Sequence, residues 1–211
     1  MESIAVAYWR PVYKYLRLRW RMEREDAEDL TQDFFAQAIS RELFARFDPS
    51  VARFRTYLRA CVDSSTKNSV KANSRQKRGG GAVHLALDFV RAEGELSGVD
   101  VPDERDLDDF FRREWLRSLF SLAVEDLRAH CATRGKETHF ALFARYDLGA
   151  DRETYAELGA KMGVSATQVT NHLPFARRQF RTLLLHRLRS LCGSDAEFRE
   201  EARELLGFEV S

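Results

Sequence analysis

The chain is 211 residues long, which fits one or two small domains, and 44% of its residues are hydrophobic, enough to fill real cores. Its 34 Lys and Arg nearly balance 33 Asp and Glu, so whole-chain charge does not identify a partner; the charges are instead segregated along the sequence. Cys61, Cys131 and Cys192 lie far apart with no C-x-x-C pair, which argues against a disulfide framework and suits a reducing cytosol. His130, Cys131 and His139 lack a fourth ligand at suitable spacing, so no metal is expected. Met1 to Ala7 is too short for a secretory signal, and no apolar run approaches the length of a membrane span, so a cytoplasmic protein without membrane insertion is expected.

The first predicted helix covers Ala5 to Trp20. Tyr8, Trp9, Val12, Tyr13, Leu16 and Trp20 form its core side, Pro11 stands near its start, and Arg10, Lys14, Arg17, Arg19 and Arg21 are expected outward. A second helix, running to about Ile39, packs through Ala27, Leu30, Phe34 and Ala38 and carries Asp26, Asp29 and Asp33 along another edge. Asp26 and Glu28 suit a helix N-terminus; Asp33 lies beyond the first turn, where that benefit fades. Asp48-Pro49-Ser50 breaks the chain before a third helix, from about Val51 to Asn73. From Arg53 to Arg78 eight basic residues face one acid, Asp63, while Phe54, Leu58, Cys61 and Val62 supply the buried stripe. An acidic edge beside a basic surface suggests a protein that bridges a basic protein surface and a nucleic acid.

Gly79-Gly80-Gly81 ends this domain, and residues 80–109 read as an acidic, partly disordered linker, with folding back onto the basic flanks as its other use. Helical periodicity resumes from Phe110 to Cys131 and from Glu137 to Tyr146. Thr154 with Glu157 forms a capping box, Gly163-Val164-Ser165 a tight turn, and Ser165 the next N-cap. Val169, Leu173, Ala176 and Phe180 face inward on the helix that follows, a helix-turn-helix pattern. Its outward Thr167, Gln168, Asn171 and Arg178 are side chains that reach base edges and phosphates. Asp195 to Ser211 adds an amphipathic tail helix, expected to pack on the second domain.

With these residues in order, the chain resembles a bacterial RNA polymerase sigma factor of the extracytoplasmic function (ECF) group of the sigma-70 family. Asp26 to Phe35 is similar to the polymerase-binding helix of region 2, Phe54 to Arg78 to its promoter-melting and −10-reading parts, and Tyr155 to Val169 to the −35-reading part of region 4. The resemblance implies an all-α protein: residues 1–79 as a region 2-like domain, 80–109 as a flexible linker, 110–194 as a region 4-like helix-turn-helix domain and 195–211 as a tail. It implies that Asp26, Glu28, Asp29 and Asp33 contact core RNA polymerase. Arg53, Tyr57, Lys67, Asn68, Lys71 and Arg75 would serve the −10 element of promoter DNA, and Thr167, Gln168, Asn171 and Arg178 the −35 element. An anti-sigma factor is a further partner the family allows; no cofactor and no catalysis are implied. The chain departs from the family pattern at Ala60, Ser64 and Thr170-Asn171-His172, and at Pro174, which is expected to bend the recognition helix.

Two other readings stay open on the residues alone. One is a sigma-like regulator that binds DNA without initiating transcription; such a protein has no need of Asp26, Asp29 and Asp33. The other is a nucleic-acid enzyme, for which the sequence offers no P-loop, metal cluster or convergent His/Asp/Glu set.

Overall fold

The computed structural model describes residues 2–40, 43–73, 87–96, 106–150 and 153–207, and these residues are all-helical with no strand. They divide into two compact units, residues 1–118 with 189–211, and residues 119–188. Each boundary falls inside a helix.

In the first unit, α1 (Glu2–Arg19), α2 (Arg24–Ser40) and α3 (Phe54–Asn73) pack around a core rich in aromatic rings. Tyr8, Val12, Tyr13 and Leu16 of α1 are buried against Phe34, Phe35, Phe54, Leu58 and Val62. The spacing of these residues is what makes the helices amphipathic, so burial rather than propensity holds them. Pro11 sits in the middle of α1, not near its start, because the helix begins three residues earlier than the aromatic pattern.

Two sequence expectations need correction here, those for Lys14 and for the tail helix; of the span 80–109 read as a linker, residues 80–86 and 97–105 lie outside the described residues. The span read as a tether contains α4 (Phe89–Gly94), whose Phe89 packs on Trp9 and Tyr13 at ring separations of 5.3 and 5.0 Å. Glu93 on the same helix accepts hydrogen bonds from the Tyr13 hydroxyl (2.5 Å) and the Arg17 guanidinium (2.6 Å). Among the described residues of this span, Glu93 and Glu95 thus complement basic and hydroxyl groups of α1. Lys14, expected outward, is buried at 1% exposure, its ammonium donating to Glu95 (2.7 Å) and to Glu114 (2.5 Å) of α5 (Leu107–Ala132). Burial raises Glu95, yet its hydrogen bond with Lys14 and the surrounding positive charge outweigh that and hold its carboxyl below the usual range. Finally, the tail helix belongs to the first unit and not to the second. It forms α9 (Asp195–Leu206), capped by Ser194, whose hydroxyl accepts from the Glu197 N–H.

The second unit contains the later part of α5, then α6 (Glu137–Tyr146), α7 (Tyr155–Met162) and most of α8 (Ala166–Leu191). Leu127, Cys131, Leu142, Phe143, Leu158, Val169, Leu173 and Ala176 form one contiguous buried cluster. The α8 helix runs through Pro174 without interruption. Pro174 and Thr170, whose carbonyl loses its intrahelical N–H partner to the ring, both lie on the exposed side, where water can serve that carbonyl.

Candidate nucleic-acid interface

The acidic edge of α2 is built as its spacing requires. Ala27, Leu30, Phe34 and Ala38 are buried, and this turns Asp26, Asp29 and Asp33 out to solvent along one open side. Glu28 is different: it is half-buried and bonded to Arg24 at 2.7 Å, one turn back. Three of the four expected polymerase contacts are therefore presented together, and the fourth has its charge engaged within the helix.

The basic surface of α3 is less open than its sequence suggests. Arg53, just ahead of the helix, donates to Glu201 (3.1 Å), Glu200 (3.1 Å) and Glu204 (2.9 Å) of α9. The hydrogen bond with Glu204 raises the Arg53 guanidinium further above its ordinary value, and Arg53 in turn holds the Glu204 carboxyl low. Arg55 bonds Glu201 and lies over the Trp115 ring at 5.6 Å, and its burial lowers its pKa. Arg59 pairs with Asp108. Counting the basic residues of one segment missed these pairings because the acids come from sequence positions far away.

Lys67 and Asn68 are exposed in the later half of α3. Fourteen residues of helix separate Arg53 from Lys67, about 21 Å at 1.5 Å per residue. The residues assigned to the −10 element are thus spread along α3 rather than gathered. Lys71 lies in the last turn of α3, and Arg75 falls outside the described residues. Tyr57 stacks among Phe47 and Phe54 and donates its hydroxyl to the Leu43 carbonyl at 2.9 Å. Its hydroxyl ties the 3-10 turn Leu43–Arg46 to α3, while the residue stays partly exposed.

A groove of about 490 Å³ runs between α2 and α3, lined by Asp33, Phe34 and Gln37 on one side and Cys61, Ser64, Ser65, Asn68 and Ser69 on the other. It brings Asp33 and Asn68, assigned from sequence to different partners, to one place. The small hydroxyls and carboxamides of this groove could exchange hydrogen bonds with a planar polar group. Ser64 was noted in the sequence only as a departure from the family pattern, and Ser65 and Ser69 were not singled out; their run along α3 was the available signal.

In the second unit, Thr154 and Glu157 form the expected reciprocal cap: the Thr154 N–H donates to the Glu157 carboxylate (2.8 Å), and the Glu157 N–H donates to the Thr154 hydroxyl. Gly163 ends α7 with φ +67°, a left-handed conformation that suits glycine. Gly159 is needed for a different reason: a Cβ there would stand 2.6 Å from the Val164 carbonyl oxygen. The turn therefore closes tightly enough to set α7 against α8. Ser165 and Gln168 form a second reciprocal cap, the Ser165 N–H donating to the Gln168 side-chain oxygen at 2.9 Å. That leaves the Gln168 NH2 as the group facing outward chemistry.

With Val169, Leu173 and Ala176 fully buried, Thr167, Asn171 and Arg178 fall on one exposed side of α8. His172, next to Asn171, turns away and stacks on His139, with ring centroids 3.9 Å apart. Arg177 is held by Asp147 through contacts as short as 2.8 Å, and this hydrogen bonding raises its pKa. Arg178 lies 5.9 Å from the centre of the Phe175 ring and carries the positive charge at the far end of this face.

No described helix is long and apolar enough to cross a membrane. No curated protein and no solved structure matches the chain. Residues 5–76 match the family model described as Sigma-70 region 2, about a third of the chain and the span that holds α1, α2 and α3. The matched span lies within the first unit, so the similarity to sigma-70 region 2 concerns that unit.

Proposed function

We propose that the chain is a sigma factor of the ECF group, a non-enzymatic protein that directs core RNA polymerase to promoters and assists strand separation. The Sigma-70 region 2 match over residues 5–76 carries this reading. Asp26, Asp29 and Asp33 meet a basic surface of the polymerase, while Lys67, Asn68, Lys71 and Arg75 follow the −10 strands through phosphate and base contacts. In the second unit, α7, the turn at Gly163 and α8 act as a helix-turn-helix. Thr167, Gln168 and Asn171 lie against base edges of the −35 element, and Arg178 against a phosphate.

The test is run-off transcription with purified core polymerase on a library of genomic promoters. A set of start sites sharing two upstream elements is the expected result. DNA binding by the chain without any run-off product overturns this reading in favour of a regulator that does not initiate.

A further inference from the structure

The contact between α9 and the start of α3 carries a dense set of ion pairs and hydrogen bonds. Among the residues of α9, Ala202 is the buried hydrophobic one; the others that are buried are Glu197 and Glu201. Glu197 accepts the backbone N–H of Phe54 at 2.6 Å, where α3 begins, and also the Gly193 N–H at 2.8 Å. Glu200, Glu201 and Glu204 close on Arg53, Glu201 also reaches Arg55, and Glu204 also takes a hydrogen bond from Arg112 at 2.8 Å. Gly193 lets this segment come close: a Cβ there would stand 2.2 Å from the Phe47 ring. A helix that serves only as a brace fastens through apolar side chains, which hold in any salt. This one fastens through carboxylates on arginines, and Arg53 keeps 30% of its side chain in solvent, where ions and other anions can compete.

We propose that α9 is a built-in anionic occupant of the cationic entrance to α3, holding Arg53 and Arg55 until the phosphates of a separated DNA strand replace its carboxylates. The proposal rests on the sigma-factor reading for the identity of the strand. The exchange conserves charge pairing: each arginine trades a carboxylate for a phosphate, and α9 leaves with its acids solvated. The isolated chain therefore binds single-stranded DNA weakly, and strand capture and release of α9 are one event.

The experiment measures binding of a labelled oligothymidylate to the full chain and to the E200Q/E201Q/E204Q variant, which keeps the Glu197 cap. The variant is expected to bind at least about tenfold tighter. Its salt dependence should be steeper by about 1.4 units of slope, since of the three arginines freed, Arg53, Arg55 and Arg112, the two at the start of α3 meet the strand and each contributes about 0.7 on a single strand. Adding Arg53→Ala to the variant should cancel much of the gain. Gly193→Ala, which crowds Phe47 without altering charge, should shift affinity in the same direction as the triple variant. On the unaltered chain, amide exchange across residues 195–206 should speed up when the probe saturates. Unchanged affinity in the triple variant, a gain that survives Arg53→Ala, no binding of the probe by either form, or undiminished protection of α9 under saturating probe each overturn the proposal. Run-off transcription by the same preparation keeps the two readings apart: a chain that initiates transcription while α9 stays protected loses the gate and keeps the sigma-factor assignment.

Discussion

Asp29 and Asp33 stand one helical turn apart on the open side of α2, where like charges oppose helix formation slightly and, among the described residues, no ion pair offsets them, unlike Glu28 with Arg24. A binding role explains that placement. Reversing both, Asp29→Lys with Asp33→Lys, should weaken association with core polymerase by well over about tenfold, the scale of a single strong charge contact. Affinity for duplex DNA should be unchanged. A pull-down titration checks both, and unaltered core binding would remove the polymerase role from α2. Glu153 offers a residue-scale test of another kind. Hydrogen bonds from Arg145 and Lys161 hold its carboxyl down from the ordinary 4.5 to about 2. A depressed acid contributes stability that is complete above its unfolded pKa and is lost as pH falls through its folded value. Melting of the chain should therefore lose a Glu153-dependent increment between about pH 4.5 and 2, and Glu153→Gln should lack that increment.

At the level of elements, the α7–turn–α8 pair was the most legible part of the chain, because its signals are local. Thr154 with Glu157, Gly163, and Ser165 with Gln168 each act within four residues, and each forms the bond its residue type suggests. The helix from Glu137 to Tyr146 likewise ends where its apolar pattern ends. Gly159 was not legible, since its requirement comes from the Val164 carbonyl across the turn. Gly159→Ala should exchange a helix-favouring side chain for a backbone clash and destabilise the second unit by roughly 1–3 kcal/mol, the usual cost of overpacking. Thermal melting reads the loss, and a stabilised variant would show that the turn opens freely. The misreadings of Lys14 and of the last helix share one cause. Periodicity assigns a residue to an inward or outward side of its own helix, but not to which distant segment meets that side. Lys14 looked solvated because its two carboxylates lie about eighty and a hundred residues away.

Across the whole molecule, the near-neutral net charge is more than an average over opposed segments. Much of the cation on α1 and α3 is met by acid from α4, α5 and α9 of the same unit, through Arg17 with Glu93, Lys14 with Glu95 and Glu114, Arg59 with Asp108 and Arg53 with α9. A basic stretch in the sequence is therefore a surface for nucleic acid only after these internal pairings are removed from it, which leaves Lys67 as an exposed cation in the described part of α3.

The buried Lys14 has a consequence for dissecting this protein into modules. The family match stops at residue 76 and the glycine run follows at Gly79, so the natural place to cut a minimal region 2 fragment is there. Such a fragment would keep Lys14 and discard both carboxylates that neutralise it, stranding a charge in an aromatic core. Removing the partners of a buried ion commonly costs about 3–5 kcal/mol, most of the stability of a small domain. Lys14→Met should rescue the short piece by removing the charge while filling the same space. A fragment carried through Ser118 should need the rescue far less, and circular dichroism melts of the two lengths, with and without Lys14→Met, decide it. The independently folding unit is then longer than the family match and takes in α4 and the start of α5.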